Sequence, residues 1–289
     1  MHCSHSLLYG LLPGSRLTFA AAPAAQKAPT PIKPTQEALA GLVRLLLRES
    51  RHTCRRERLP IASTTRWLDT AWPLAWALTR VNELLHLEAE LDAGLQQLGL
   101  ARPGLARALL GYQALMLQWN RAYNLTAIRE PREMLSKHLL DSLAIAPFVS
   151  GRVADIGTGA GLPGIPLAIH NPSLRVSLVE TVGKKARFLR EAVRHLGLAQ
   201  VSVHACRAED VPESGQHDQL IARALGTLDG ILSAGGHLLR PGGRLLAMKG
   251  RIPDDEIAAL PQGYRWIATH PLVVPGLHAE RHLVVVEKT

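Results

Sequence analysis

Apolar positions recur every three or four residues between 81 and 149, the spacing that places side chains on one face of an α-helix. A first helix is predicted over 81–100, a second follows Pro103, and a third is predicted over 133–149 after a break at NRAYNLTAIREP (120–131). The apolar faces of the first two comprise Leu84, Leu87, Leu91, Leu95 and Leu98, and Leu105, Leu109, Tyr112, Leu115 and Trp119. We therefore expect a small helical unit over 81–150.

The pattern changes at residue 152 to short apolar runs that alternate with helical periods. Strands are predicted at 152–156, 175–180, 201–205, 219–224 and 244–249, with helices at 164–170, 184–197 and 227–238. Two last runs, 266–274 and 281–288, have no helix between them and predict an antiparallel hairpin at a sheet edge. Such alternation is typical of an α/β domain, here 151–289, with a mostly parallel sheet of seven strands and right-handed crossovers.

The first 80 residues differ from the rest in composition. They hold eleven Lys/Arg and four Asp/Glu, whereas the remaining 209 residues hold 22 and 20, so most of the net charge of +9 lies in this extension. An Ala/Pro-rich stretch (20–36) predicts poor order, and a basic cluster (51–60) precedes Trp67, Trp72 and Trp76. The extension is an RNA-binding arm or, the interpretation we favour, a lineage-specific tail or translated upstream sequence before a start near Val81.

Composition excludes several classes of protein. The chain has 289 residues, 47% of them apolar and 20% charged, which is typical of a globular protein. It has no run of 18 apolar residues, and no Lys or Arg precedes the broken apolar run at 7–14, so neither a membrane span nor export is expected. Cys3, Cys54 and Cys206 form no metal or disulfide pattern, which favours a reducing, cytoplasmic location and no metal site.

A glycine-rich stretch, VADIGTGAGLPGIP (153–166), joins the first predicted strand to a helix. Folds of this class seat a nucleotide at this position. The dinucleotide pattern G-x-G-x-x-G is incomplete, because Leu162 stands where the third glycine would follow Gly157 and Gly159. Asp155 is poorly placed for a pyrophosphate and better suited to a cationic ligand or to hydroxyls. S-adenosylmethionine, which carries an ammonium and a sulfonium, fits this pattern.

Acidic residues follow the next two predicted strands. Glu180 ends the second strand, where a carboxylate accepts hydrogen bonds from ribose hydroxyls, and RAED (207–210) follows the third, where an adenine edge is commonly met. Each element alone is a weak signal, since acids at strand ends are often only solvated. Their order along the chain predicts a class I, Rossmann-like methyltransferase that uses S-adenosylmethionine.

Several motifs resemble one known family. YNLTAIREP, HLLDS, DIGTGAGLPGIP, KKARFLR, RAED, ARA, LLAMKG and ERHLVVVEK are similar to the motifs of the bacterial small-subunit ribosomal RNA guanine-N7 methyltransferases, also called glucose-inhibited division protein B. The resemblance runs from about residue 81 to 289. It implies S-adenosylmethionine as methyl donor and a guanine N7 of 16S rRNA as acceptor, within the small subunit or an assembly intermediate. We also expect a monomer.

The resemblance assigns donor-binding roles to individual positions. Arg223 matches an arginine that faces both donor and acceptor, and Ala222 replaces the serine usual before it, which should not disturb the pocket. The full donor-binding set is Asp155, Gly157, Gly159, Leu162, Glu180, Ala208, Glu209 and Arg223.

Other polar residues are candidates for the acceptor side, although none is a certain catalytic residue. The set comprises Asn124, His138, Asp141, Arg223 and Lys249. Asn124, His138 and Asp141 could equally join the helical unit to the sheet, and Lys249 is either a contact to an RNA phosphate or an ordinary lysine at a strand end. The basic helix KKARFLREAVRH (184–195) is by default a solvated face but could also touch rRNA phosphates.

The reaction that the resemblance implies needs no general base. Guanine N7 carries a free lone pair, so the enzyme has to align the reactants and exclude water. Two alternatives stay open on the same fold: a methyltransferase for a small molecule or protein, and a non-catalytic RNA-binding or assembly factor. A nicotinamide dehydrogenase is disfavoured by the missing third glycine and by Asp155.

Overall fold

The computed structural model of the chain describes residues 85–289. The predicted extension over 1–80 and Leu84 lie outside this range. Three helical segments come first: α1 (85–97), α2 (Leu105–Tyr123) and α3, which runs from Pro131–Met134 through a π-helical stretch, Leu135–Leu140, to Asp141–Leu143. The predicted third helix is thus shorter than 133–149, and a 3₁₀ turn at Ala146–Phe148, which contains Pro147, replaces its end.

A seven-stranded sheet follows, in the order β3-β2-β1-β4-β5-β7-β6. The strands are β1 (Arg152–Ile156), β2 (Arg175–Val179), β3 (Val201–His204), β4 (His217–Arg223), β5 (Leu239–Lys249), β6 (Tyr264–Pro271) and β7 (His282–Lys288). The helices between them are α4 (Gly164–His170), α5 (Gly183–Leu196), α6 (Leu228–Gly235) and α7 (Asp254–Ala258). The first five strands are parallel and β7 is antiparallel to both neighbours, which confirms the predicted α/β class and edge hairpin.

Strand β5 is longer than its sequence indicates. It begins at Leu239, whereas the prediction begins at 244 because Pro241, Gly242 and Gly243 read as a turn. The structure accommodates these residues through a register shift against β4, between His217 and Gln219. Because the strand pair is irregular here, the first half of β5 lacks the regular alternation of apolar and polar residues that predicts a strand.

Two apolar clusters flank the sheet. The larger includes residues of α1–α5, with Tyr112 and Phe188 among its fully buried side chains, and the smaller includes residues of α6, β4 and β5. The hydroxyl of Tyr112 donates to the carbonyl of Ala160 in the glycine loop. Helix α2 is thereby bonded directly to the loop that follows β1.

Among residues 85–289, no helix is long and apolar enough to cross a membrane. The same range holds no group of three or more His, Cys, Asp or Glu side chains arranged to bind a metal ion.

Candidate functional site

The glycine loop after β1 depends on backbone conformations that side chains disfavour. Gly157, Gly159 and Gly161 have φ angles of 63°, 62° and 92°. A Cβ on Gly161 would lie 2.4 Å from the Ile165 side chain, so this glycine is needed for packing as well. At Gly159 the nearest atom to a Cβ would be the Gly157 carbonyl oxygen at 4.0 Å, so this glycine faces open space.

Asp155 orders this loop from inside the protein. Its carboxylate is fully buried, and Oδ2 accepts hydrogen bonds from the Thr158 hydroxyl at 2.6 Å and the Gly164 N–H at 2.8 Å, while Oδ1 has no partner. Burial raises the pKa of Asp155 to about 6. Because the side chain has no accessible surface, its carboxylate faces the loop through Thr158 and Gly164 and not the cavity, and its donor-binding role stays a prediction.

Glu180, immediately after β2, holds the loop from the other side. One carboxylate oxygen accepts from the N–H of Gly159 at 2.9 Å and the other from the N–H of Val182 at 2.8 Å. Both oxygens are thus engaged by the backbone, a role that the predicted contact to ribose hydroxyls does not anticipate. Each retains a lone pair for a further donor.

A cavity of about 470 Å³ lies between the glycine loop, α3 and the carboxyl ends of β4 and β5. This volume is within the range of small-molecule sites in proteins, and the carboxyl ends of parallel strands are where such folds bind ligands. The lining residues are Leu125, Thr126, Lys137, His138, Asp141, Gly157, Thr158, Gly159, Ala160, Leu162, Arg223, Ala224, Met248, Lys249, Gly250 and Arg281.

A buried carboxylate holds two arginines at one wall of this cavity. Asp141 is 3% exposed, and its two oxygens accept from Arg223 Nη1 at 3.0 Å and from Arg281 Nε at 2.9 Å. The three side chains come from α3, the end of β4 and the residue before β7. Their summed charge is positive, and the arginines are oriented by charge-assisted hydrogen bonds.

His138 is a neutral, structurally committed side chain in the same wall. Its Nδ1 lies 3.0 Å from the Lys137 carbonyl, which can only accept, so Nε2 at 2.9 Å accepts from the Thr126 hydroxyl. Burial lowers the pKa of His138 below its ordinary value, which favours the neutral ring. Asn120 clamps the backbone of Thr126 through two hydrogen bonds of 3.0 Å, which fixes the YNLT segment against the cavity.

Lys249 reaches the cavity from the end of β5, but its ammonium is held internally. It donates to Glu256 Oε2 and to the Gly226 carbonyl, both at 2.8 Å. Glu256 also accepts from the N–H of Leu228, which begins α6. Of the two alternatives open for Lys249, a contact to an RNA phosphate and an ordinary lysine at a strand end, these internal contacts favour the second.

Some predicted residues do not line the cavity. Asn124 is the exposed C-cap of α2, with φ of 49° and its side-chain oxygen 3.2 Å from Arg129 Nη2, so it ends the helix. Ala208 and Glu209 lie in a 3₁₀ turn after β3 and, like Asp155 and Glu180, are absent from the lining. Gly157, Gly159, Leu162, His138, Asp141, Arg223 and Lys249 are brought together.

Several lining residues were missed as individual candidates, Arg281 and Thr126 among them. Arg281 belongs to the ERHLVVVEK motif and Thr126 to YNLTAIREP, so both lay in segments that carried the resemblance. The lining alone indicates their positions, because Arg281 is 140 residues from the carboxylate that it contacts.

Comparisons with known proteins agree with this geometry. A family model described as rRNA small subunit methyltransferase G matches residues 105–284. Ribosomal RNA small subunit methyltransferase G of Xanthomonas campestris pv. campestris (strain 8004) is 60% identical over 203 residues, covering 70% of this chain and 95% of that protein. The protein of the same name from Stenotrophomonas maltophilia (strain K279a) is 60% identical over 199 residues, covering 68% and 93%.

Among solved structures, TrmN from Thermus thermophilus matches with a TM-score of 0.43 and 22% identity over 59% of this chain and 53% of that one. The family match spans α2, α3, the glycine loop and the wall that carries Asp141 and Arg223. The chain belongs to the rRNA small subunit methyltransferase G family.

Proposed function

We infer that this protein is an enzyme that transfers a methyl group from S-adenosylmethionine to N7 of a guanine in small-subunit (16S) ribosomal RNA. The observation that carries this inference is the joining of the family's motifs in one cavity. Its glycine loop, the HLLDS helix, the ARA strand end and the ERHLVVVEK arginine all face the same 470 Å³. Family membership selects the ribosomal RNA reaction from the alternatives that the fold leaves open.

The residues of the loop fit S-adenosylmethionine. Gly159 leaves open space where any side chain would project. The buried carboxylates of Asp155 and Glu180 hold the loop backbone at Gly164 and Gly159. We propose that Gly157, Gly159 and Leu162 hold the donor directly, that Glu180, Ala208 and Glu209 hold its adenosine end, and that Asp155 acts through the loop. When bound, the donor supplies an electrophilic methyl group.

The charges of the cavity suit a nucleotide acceptor. Four cationic side chains and one carboxylate line it, and that carboxylate is engaged by Arg223 and Arg281. Lys137 and Lys249 are paired with Glu133 and Glu256, so the excess positive charge belongs to the two arginines, and it attracts a phosphate-bearing acceptor to their wall. We therefore assign the wall of α3, β4 and β7 to the acceptor. We propose that the helical unit over 81–150 contributes α3 to this wall and that the methyltransferase domain over 151–289 contributes the two strands.

The residues present match a reaction that requires no general base. Among the lining residues the one carboxylate is Asp141, which is committed to two arginines, and His138 is neutral with both ring nitrogens bonded. Guanine N7 attacks through its own lone pair, so these groups position the base and exclude water. As the guanine gains positive charge, hydrogen-bond acceptors placed beside it would stabilise that charge.

We further propose that the protein acts in the cytoplasm as a monomer, on the small subunit or an assembly intermediate. A folded RNA is read through its shape and local contacts, which favours a structured acceptor. Light scattering of the purified protein tests the oligomeric state.

The experiment is methyl transfer from labelled S-adenosylmethionine to small subunits taken from cells that lack this protein, followed by mapping of the label. One 7-methylguanine in 16S rRNA is expected. Deproteinised 16S rRNA in parallel decides between assembled and free acceptor. Donor binding without any label in either acceptor would refute the proposed reaction.

A further inference from the structure

Helix α5 concentrates positive charge that the cavity does not use. Five of its 14 residues are Lys or Arg and one is Glu, whereas the other residues from 81 to 289 carry 17 Lys/Arg and 19 Asp/Glu. Apart from α5, this part of the chain is slightly acidic. Its excess positive charge is therefore a property of one helix.

The helix is strongly two-sided. Its buried face packs into the larger apolar cluster and consists of Ala186, Phe188, Leu189 and Ala192. Arg187 and Arg190 are exposed on the opposite face, three residues apart, so their side chains are neighbours. We call these two residues the arginine row.

The arginine row has no counter-charge among residues 85–289. Some surface arginines are neutralised: Arg244 and Arg265 share Glu287, and Arg194, further along α5, is paired with Glu191. Within this range, single arginines such as Arg121 and Arg175 are also exposed without an ion pair, but Arg187 and Arg190 are adjacent on one helix face. No ion pair within the described range includes Arg187 or Arg190. Adjacent like charges on a helix are mildly destabilising, and a polyanion would relieve this.

Helix α5 begins at the same edge of the sheet as the cavity, because it follows the carboxyl end of β2. Helix α5 begins three residues after Glu180, whose carboxylate bonds Gly159 of the lining. At 1.5 Å per residue, Arg187 and Arg190 lie roughly 6 and 10 Å along the axis from Gly183. Phe188, on the buried face of α5, packs on Trp119 of α2 with ring centroids 5.7 Å apart. Helix α2 ends at Tyr123, two residues before the lining residue Leu125.

We propose that the arginine row binds phosphates of the rRNA strand that carries the target guanine and so docks the substrate beside the cavity. Phosphate contacts fix register and orientation without reading sequence, a task separate from recognition of the base. The inference rests on the proposed function for the identity of the RNA, but its test measures binding and not methylation.

The test is filter binding of the full chain to small subunits from cells that lack this protein, between 50 and 200 mM salt. The variant is Arg187→Gln with Arg190→Gln. Its matched control, Arg175→Gln with Arg265→Gln, removes two exposed arginines away from the cavity: Arg175 is at the amino end of β2, and Arg265 lies in β6 at the far edge of the sheet. Thermal unfolding and donor binding by calorimetry check that both variants fold.

The arginine-row variant should bind about 10-fold more weakly near 150 mM salt, with a log–log salt slope reduced by about 1.5, since each phosphate contact contributes roughly 0.7–0.9. The control should match the wild type. Equal affinity and slope in both variants would overturn the proposal, as would a wild type that does not bind at any salt. A wild type that binds but transfers no methyl group would refute the proposed function and leave the docking role standing.

Discussion

Asp141→Asn removes the charge that holds Arg223 and Arg281 while keeping the shape of the side chain. An asparagine has one oxygen to accept hydrogen bonds, so at least one of the two contacts, at 3.0 and 2.9 Å, is lost. A hydrogen bond to a charged group contributes about 1.5–3 kcal/mol, and a buried arginine without its partner adds to the cost. The arginine side chains are 21% and 28% exposed, so water offsets part of this.

The expected loss is about 2–3 kcal/mol of unfolding free energy, or roughly 5–10 °C in Tm for a chain of this size. We also expect kcat/KM for methylation of small subunits to fall about 100-fold, because the arginines lose their fixed orientation toward the acceptor. The donor dissociation constant should change less, since the glycine loop is untouched.

The assays are thermal unfolding, donor titration calorimetry and label transfer to small subunits. The control is Glu90→Gln, which weakens an exposed pair with Arg132 (side chains 44% and 74% exposed) outside the cavity. It should cost less than about 1 kcal/mol and leave methylation unchanged. Full methylation by Asp141→Asn, or a stability loss no larger than that of the control, would refute a positioning role for Asp141.

Three further predictions concern the glycine loop. Gly159→Ala should weaken donor binding by about 10-fold in calorimetry, because the added methyl group enters the open space that the donor needs. The control is Gly197→Ala, where a Cβ meets nothing within 4 Å. Both glycines have positive φ, 62° and 66°, so both variants carry a backbone strain of about 1–2 kcal/mol, but Gly197→Ala should not affect donor binding. Tyr112→Phe should cost about 1–2 kcal/mol in urea unfolding, because the buried Ala160 carbonyl loses its donor, and an unchanged midpoint would contradict this. Asp155 has a pKa of about 6 in the folded protein against an ordinary 3.8. Its contribution to stability is therefore full below about pH 4 and is lost as pH rises through 6, by up to about 3 kcal/mol. Asp155→Asn should lack this loss, and parallel stability–pH curves for the two proteins would refute the prediction.

The pattern of apolar and polar residues predicted the bounds of helices and strands well where an element depends only on residues near it in sequence. The bounds of β1 and α4 agree with the prediction, because an apolar run followed by glycines and then a helical period has few alternative structures. The early start of β5 could not be predicted, since a register shift against another strand accommodates its Pro-Gly-Gly segment. The end of α3 was placed too late because its apolar residues continue past Leu143 without its helical backbone.

The sequence by itself determined the order of strands and helices, the position of the glycine loop and, through its motifs, the family. These features depend on residues a few positions apart, which interact whatever the rest of the chain does. Only the tertiary structure decided that Asp141 joins Arg223 and Arg281, 82 and 140 residues away, that Asp155 is sealed inside the loop, and that Lys249 is bound to Glu256. Burial and long-range pairing depend on the crossovers, which bring the strand ends to one edge of the sheet. The spacing of residues along the chain does not specify these contacts.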